Sequence, residues 1–147
     1  EFGLTKKMTI AFLGFAETYL GAFGEGKGEG MYAGVPFVAR SPEPGVQDFV
    51  AKIRKANGDD AVVSFYVMTH YNSLIALKGG LEKAGKVDKE AMIDGMAGLS
   101  FEIPTGPAMI TKEDHHVAMN MYIARTSNGT LNIAKKLGVI EPAPQCG

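Results

Sequence analysis

The sequence predicts an α/β fold that closes with an antiparallel hairpin, and three observations carry that prediction. Val46, Phe49, Val50 and Ile53 recur at i, i+3, i+4 and i+7, the stripe of an amphipathic helix. A second and longer stretch, residues 61–84, places Val62, Phe65, Tyr66, Thr69, Leu74, Leu77 and Leu81 on recurring helical faces. After Gly98 the period drops to two, with Val117, Met119, Met121 and Ile123 alternating through Ala118, Asn120 and Tyr122 ahead of a Ser127-Asn128-Gly129 turn.

Taken in chain order, Met8, Ile10, Phe12 and Leu13 predict a short buried strand over residues 7–13, and residues 16–23 suit about two turns of helix before the glycines of 24–30. Tyr32, Val35, Phe37 and Val38 predict a strand that Pro36 restricts to an edge or an irregular position. Ser41-Pro42-Glu43-Pro44-Gly45 leads into the first amphipathic helix, which stops near Asn57-Gly58. Asp60 is placed to cap the long helix, whose last turns Gly79-Gly80 weaken. Asp88 caps a short helix carrying Met92, Ile93 and Met96 and closed by Gly98. Phe101 and Ile103 alternate ahead of Pro104-Thr105-Gly106-Pro107, and the alternation at 117–123 predicts a half-buried strand. The hairpin returns through Leu131 and Ile133, and from Lys135 onward one loose turn and a Pro-rich coil are expected.

Composition narrows the classes. With 46% hydrophobic and 21% charged residues, the 147-residue chain has the balance of a globular domain with a real core. Its 15 basic and 16 acidic residues are evenly spread, so no basic stripe exists to neutralise phosphates and nucleic acid is not an expected partner. No run of about 18 apolar residues is long enough to span a bilayer. Cys146 forms no internal disulfide; a tail thiol and a partner cysteine in another part of a longer protein are both open readings. Because Glu1 is not a start methionine, the chain is expected to belong to a longer protein.

The motifs that suggest chemistry each fail on context. Gly21–Gly28 nearly matches a phosphate-binding loop, but Gly28-Glu29-Gly30 follows Lys27, where a Ser or Thr and a helix start are required. His115-His116 are adjacent, so in a strand they face opposite sides, and no cysteine supplements them; no metal site is expected. His70 lies on a different element. There is no Gly-x-Ser-x-Gly elbow, and the acid pairs Asp59-Asp60 and Glu113-Asp114 sit where solvated turn or cap residues belong. Asn128-Gly129-Thr130 is formally a glycosylation sequon, but Asn-Gly is already accounted for as a turn.

Three stretches in fixed order carry a resemblance. They are residues 60–85, with Thr69 and Tyr71 at their centre and the acidic short helix behind; Phe101-Glu102-Ile103-Pro104-Thr105-Gly106-Pro107; and Asp114-His115-His116 followed by Tyr122-Ile123-Ala124 and the Asn128-Gly129 turn. Their order is similar to the C-terminal third of the periplasmic substrate-binding proteins of ABC transporters that take branched-chain amino acids, urea and short amides, the family of Leu/Ile/Val-binding-like proteins. The resemblance covers most of residues 40–134 and is looser before them.

That resemblance implies an α/β, two-lobed periplasmic-binding-protein fold, with Rossmann-like lobes joined by three crossovers, of which this chain holds only the C-terminal portion. Residues 1–67 would be the late part of the second lobe, 68–107 part of the first lobe with the crossover helix, and 108–147 the hinge-proximal hairpin and tail. It implies solute binding in an interlobe cleft without catalysis or cofactor, in the periplasm. The partners would be a small-molecule ligand, an ABC permease and the remaining N-terminal portion of the same protein. Closure about the ligand would shift an open–closed balance. By position, Tyr71 and Thr69 would reach the cleft, and Phe12 and Phe15 would stand near the place where amino-acid-binding members supply an acid. Here that region is apolar, with Glu17 the nearest carboxylate, which favours an amide, urea-like or aromatic ligand over an α-amino acid. Two other classes stand beside this one. One is a ligand-sensing domain of a regulator or receptor on the same scaffold; the other is an α/β enzyme whose catalytic groups lie elsewhere in the protein.

Overall fold

The computed structural model describes residues 6–24 and 28–143; the centre of the phosphate-loop-like segment and Cys146 lie outside them. A 3-10 helix, Glu17–Phe23, leads to strand β1 (Tyr32–Val35), helices α1 (Pro44–Asn57), α2 (Phe65–Ala84) and α3 (Lys89–Met96), then strands β2 (Ser100–Ile103), β3 (Gly106–Ile110), β4 (Val117–Ser127) and β5 (Thr130–Ile140).

Local chemistry sets most of these limits. Pro36 ends β1, which pairs with β4 along its length and, on its other edge, meets residues 10–12 through the single bridge of Ala11 to Tyr32. Pro44 opens α1 at a position whose N–H is not needed, and Gly58, at φ 103°, closes it by donating to Arg54 O at 2.8 Å. Gly85, at φ 68°, ends α2 in the same manner on Leu81 O. Asp88 caps α3 by accepting from Ala91 N at 2.9 Å. Asn128 and Gly129 both have positive φ, 51° and 65°, as a type I′ hairpin turn requires. The Glu29 carboxylate accepts from both of their amides, at 3.0 and 2.8 Å.

The five strands form one sheet in the order β1-β4-β3-β2, with β5 along the other side of β4. Two clusters make the core. Phe15, Met31, Ala33, Val35, Val38, Ala124 and Leu131 pack where the 3-10 segment meets β1, β4 and β5. Phe37, Val46, Phe49, Val50, Val63 and Met68 pack α1 against the start of α2, and Phe65 touches both clusters. Farther along, α2 lies on α3 at glycine-to-glycine distance. A Cβ on Gly95 would stand 2.4 Å from Gly80 O, so Gly80, read from sequence as a weakness, is where two backbones meet.

Several expectations are corrected. Every strand pairing is antiparallel, and the sole parallel contact among the described residues is the bridge Ala11–Tyr32. Successive strands joined by hairpins pair antiparallel, whereas a parallel, Rossmann-like sheet needs helical crossovers between neighbours. Residues 7–13 form a single bridge at Ala11 rather than a buried strand, and Met8, Phe12 and Leu13 are exposed. The long helix begins at Phe65 rather than after Asp60, because residues 61–64 run extended to bury Val63 and Ser64. On β4 the alternation does not by itself pick the inward face. Ala118, Tyr122, Ala124 and Thr126 are buried, while Met119, Met121 and Ile123 are half-buried, since both faces of the strand find partial cover. Finally, β5 continues to Ile140. Two bulges, where Leu137 and Ala134 find no partner on β4, break the alternation that would have announced it.

Candidate functional site

The four residues singled out from sequence do not converge. Phe15 is 1% exposed and belongs to the core. Phe12 lies over it edge-to-face, with centroids 5.9 Å apart, and is half exposed. Thr69 turns its hydroxyl back onto Tyr66 O, at 3.0 Å, and lines an apolar groove of about 380 Å³ between α2 and the sheet. Tyr71 meets Phe49 at a tilt, with ring centroids 5.1 Å apart, and lines a separate crevice of about 200 Å³ formed with Gly45, Lys52, Glu102 and Pro104. Two residues along a helix are about 200° apart, so Thr69 and Tyr71 had to part.

What does converge is an aromatic shelf around Phe12. Tyr19 meets Phe12 edge-to-face at 6.5 Å and Phe15 at 6.0 Å, Phe23 joins Phe15 at 5.7 Å, and Tyr66 meets Tyr19 edge-to-face at 6.4 Å. Phe12, Tyr19, Phe23 and Tyr66 all keep more than a third of their surface open. Elements far apart in sequence build the shelf: the segment before β1 wraps over the first turn of α2. Tyr66 fastens it by donating to Gly14 O at 3.0 Å, with the Tyr19 hydroxyl 3.4 Å from its own. That hydroxyl contact raises the Tyr66 pKa. Tyr19 and Tyr66 were missed from sequence. The spacing of Phe12, Phe15, Tyr19 and Phe23 was the available signal, since it repeats every three or four residues as one helical face does.

Among the described residues no free carboxylate serves this shelf. Glu17 turns inward, its Oε1 accepting from Ala39 N at 2.8 Å and its Oε2 buried without a partner among the described residues. Burial outweighs that hydrogen bond and raises the Glu17 pKa above 4.5.

The two remaining suspects are structural. Asp114 accepts from the Thr111 hydroxyl and from His116 N, which together hold its pKa low, and its Oδ2 lies 3.3 Å from His116 Nδ1. This network shapes the turn between β3 and β4, beside a hollow of about 690 Å³. Among the described residues no three His, Cys, Asp or Glu side chains come together as a metal site would need.

Residues 1–130 match the family model described as periplasmic binding protein. The chain belongs to the periplasmic binding protein family. This is a family of binding proteins, not of enzymes. Over 118 residues the chain is 28% identical to the Leu/Ile/Val-binding protein homolog 6 of Brucella abortus (strain 2308), covering 78% of this chain and 30% of that protein. Among solved structures, one similar fold is a solute binding protein of an ABC transporter from Rhodopseudomonas palustris BisB5, in complex with 3,4-dihydroxy benzoic acid. It has a TM-score of 0.76 at 24% identity, over 95% of this chain and 39% of that one. Another is the amino acid ABC transporter substrate-binding protein of Pseudomonas fluorescens Pf-5, with a TM-score of 0.78 at 18% identity, over 98% and 40%. This member of the periplasmic binding protein family thus spans about 30% of its curated relatives and about 40% of the similar solved chains. Among the described residues no helix is long and apolar enough to cross a membrane.

Proposed function

We propose that the protein is the periplasmic solute-binding component of an ABC importer, and that the aromatic shelf is one wall of its ligand cleft. In this reading residues 1–67 belong to one lobe, 68–107 to the other and 108–147 to the hinge-proximal hairpin and tail. The rest of the same protein supplies the opposing wall, and an ABC permease receives the closed form. The observation that carries the reading is the exposed cluster of Phe12, Tyr19, Phe23 and Tyr66, toward which no carboxylate among the described residues is turned. Solvent-facing aromatic surface of this kind is what a recognition site offers to a flat, partly apolar ligand. An α-amino acid would need an anionic partner for its ammonium, and Glu17 is turned away into the fold.

The ligand class that fits is therefore a small aromatic acid or amide. The Rhodopseudomonas palustris relative crystallised with 3,4-dihydroxy benzoic acid supports the same choice. Phe12 keeps its place in this site, Phe15 supports it from beneath, and Tyr71 and Thr69 lie in other concavities. The test is calorimetry on the full-length protein with 3,4-dihydroxybenzoate and with leucine. Binding of the aromatic acid alone is expected. Tyr66→Ala should then weaken it at least about tenfold, near 1.4 kcal/mol, while Tyr71→Ala leaves it unchanged. Binding of leucine alone, or a loss on Tyr71→Ala with none on Tyr66→Ala, overturns the assignment.

A further inference from the structure

Helix α2 and the sheet enclose a groove in which one buried polar group has no partner. The groove, about 380 Å³, is walled on one side by α2, where Thr69, Asn72, Ser73, Ala76 and Leu77 recur at helical spacing. Its other wall is a sheet face: Phe101 is paired with Ala108 across β2 and β3, and Ile110 with Val117 across β3 and β4. Among the described residues no charged side chain lines it. The hydroxyls in it turn back on the helix, Thr69 donating to Tyr66 O at 3.0 Å and Ser73 to Thr69 O at 2.9 Å. Asn72 is different. It is 7% exposed, and among the described residues neither its Oδ1 nor its Nδ2 meets a hydrogen-bond partner.

A buried carboxamide without partners is costly, and native folds seldom keep one. Asn72 offers an acceptor oxygen and a donor amide, the complement of the N–H and C=O of a main chain. The occupant carries no net charge at this point, because nothing in the groove would neutralise one. It is also longer than the groove. Leu77 and Val117 in the lining are each 37% exposed, and Leu74, outside it on the same helix, is 67% exposed. A molecule confined to the groove would leave that apolar patch open to water. Chain to cover it is at hand: these residues span 30% of the curated relatives and about 40% of the similar solved chains, so a protein of that length holds more than half its residues elsewhere.

We propose that a segment of the rest of the same protein lies along this groove. Its apolar side chains cover Leu74, Leu77 and Val117, and the N–H and C=O of its main chain pair with the Asn72 carboxamide. The assignment rests on the reading that the chain is part of a longer protein, and it is independent of the ligand. Its test is thiol labelling of the full-length protein on a Cys146→Ser background. Peptide mass spectrometry reads the rate at Ser73→Cys, at Leu77→Cys and, as the solvated control, at Lys55→Cys on α1. Ser73 and Leu77 are exposed in this chain, so an uncovered groove labels at the control rate. Labelling on the order of 100-fold slower than the control, at every protein concentration and without added solute, is expected of a groove reached only through opening of the fold. Equal rates overturn the proposal. So does protection that fades on dilution, the mark of a second copy, or that arises only with added 3,4-dihydroxybenzoate, the mark of a small-molecule seat. Hydrogen exchange then tests the amide. Asn72→Ala should raise exchange in a peptide outside these 147 residues, and a rise confined to α2 and β2–β4 overturns the Asn72 pairing. If Asn72→Ala does not fold, the labelling rates decide alone. Ligand affinity decides the proposed function by itself, so either reading can fail without the other.

Discussion

Replacing Gly95 by Ala tests the α2–α3 contact, because two effects of known size oppose each other there. In a helix interior the change from Gly to Ala stabilises by about 1 kcal/mol through backbone propensity. Against that, the new Cβ would stand 2.4 Å from Gly80 O and 3.2 Å from Gly80 C, both main-chain atoms that no rotamer change can move. Helix α3 must then withdraw by roughly 1 Å, and overpacking of this kind costs about 1–3 kcal/mol. The opposing terms leave a net loss of up to about 2 kcal/mol, a fall in Tm of up to roughly 8 °C for a chain of this size. Gly79→Ala is the internal comparison. Its Cβ would meet Leu99 Cδ2 at 2.9 Å, the movable end of a side chain, so the propensity gain survives and stability is unchanged or higher. Urea unfolding followed by circular dichroism measures both variants, with an unchanged m value confirming that the same transition is compared. If Gly95→Ala is more stable than the parent, or Gly79→Ala is the worse of the two, the close-approach reading is wrong.

Two further outcomes are expected. Glu17 has a folded-state pKa raised above 4.5, chiefly by burial, so its contribution is fully present below that value and is lost as pH rises through the folded pKa. The Tm advantage of Glu17→Gln over the parent should therefore grow from about pH 4 to about pH 7, and a difference that is flat with pH removes Glu17 as the cause. The exposed Leu74, Leu77, Val117, Val139 and Ile140 leave apolar surface on α2 and the sheet, so the 147-residue chain by itself should self-associate. Light scattering that shows a monomer at high concentration contradicts this.

How much was legible in the residues follows the range of the forces involved. Sequence alone determined the elements whose causes are local. Pro44 and Gly58 bound α1, Asp88 caps α3, Asn128-Gly129 makes the hairpin turn, and the Val46–Ile53 stripe finds its core. It also carried the family, through an ordered set of short stretches. Tertiary structure decided whatever depended on what lies across the chain. Alternation at 117–123 showed that β4 has two faces but not which one is inward, because both are partly covered. Two bulges hid β5, since an extra residue inverts the side-chain phase that a period-two reading follows. The shelf and the bond between Tyr122 and Glu43 were invisible for the same reason: Tyr66 reaches Gly14 over 52 positions and Tyr122 reaches Glu43 over 79, and no local pattern encodes such a meeting. Propensity and capping act within a turn or two of the chain, whereas burial and buried hydrogen bonds are settled only when distant segments exclude water together.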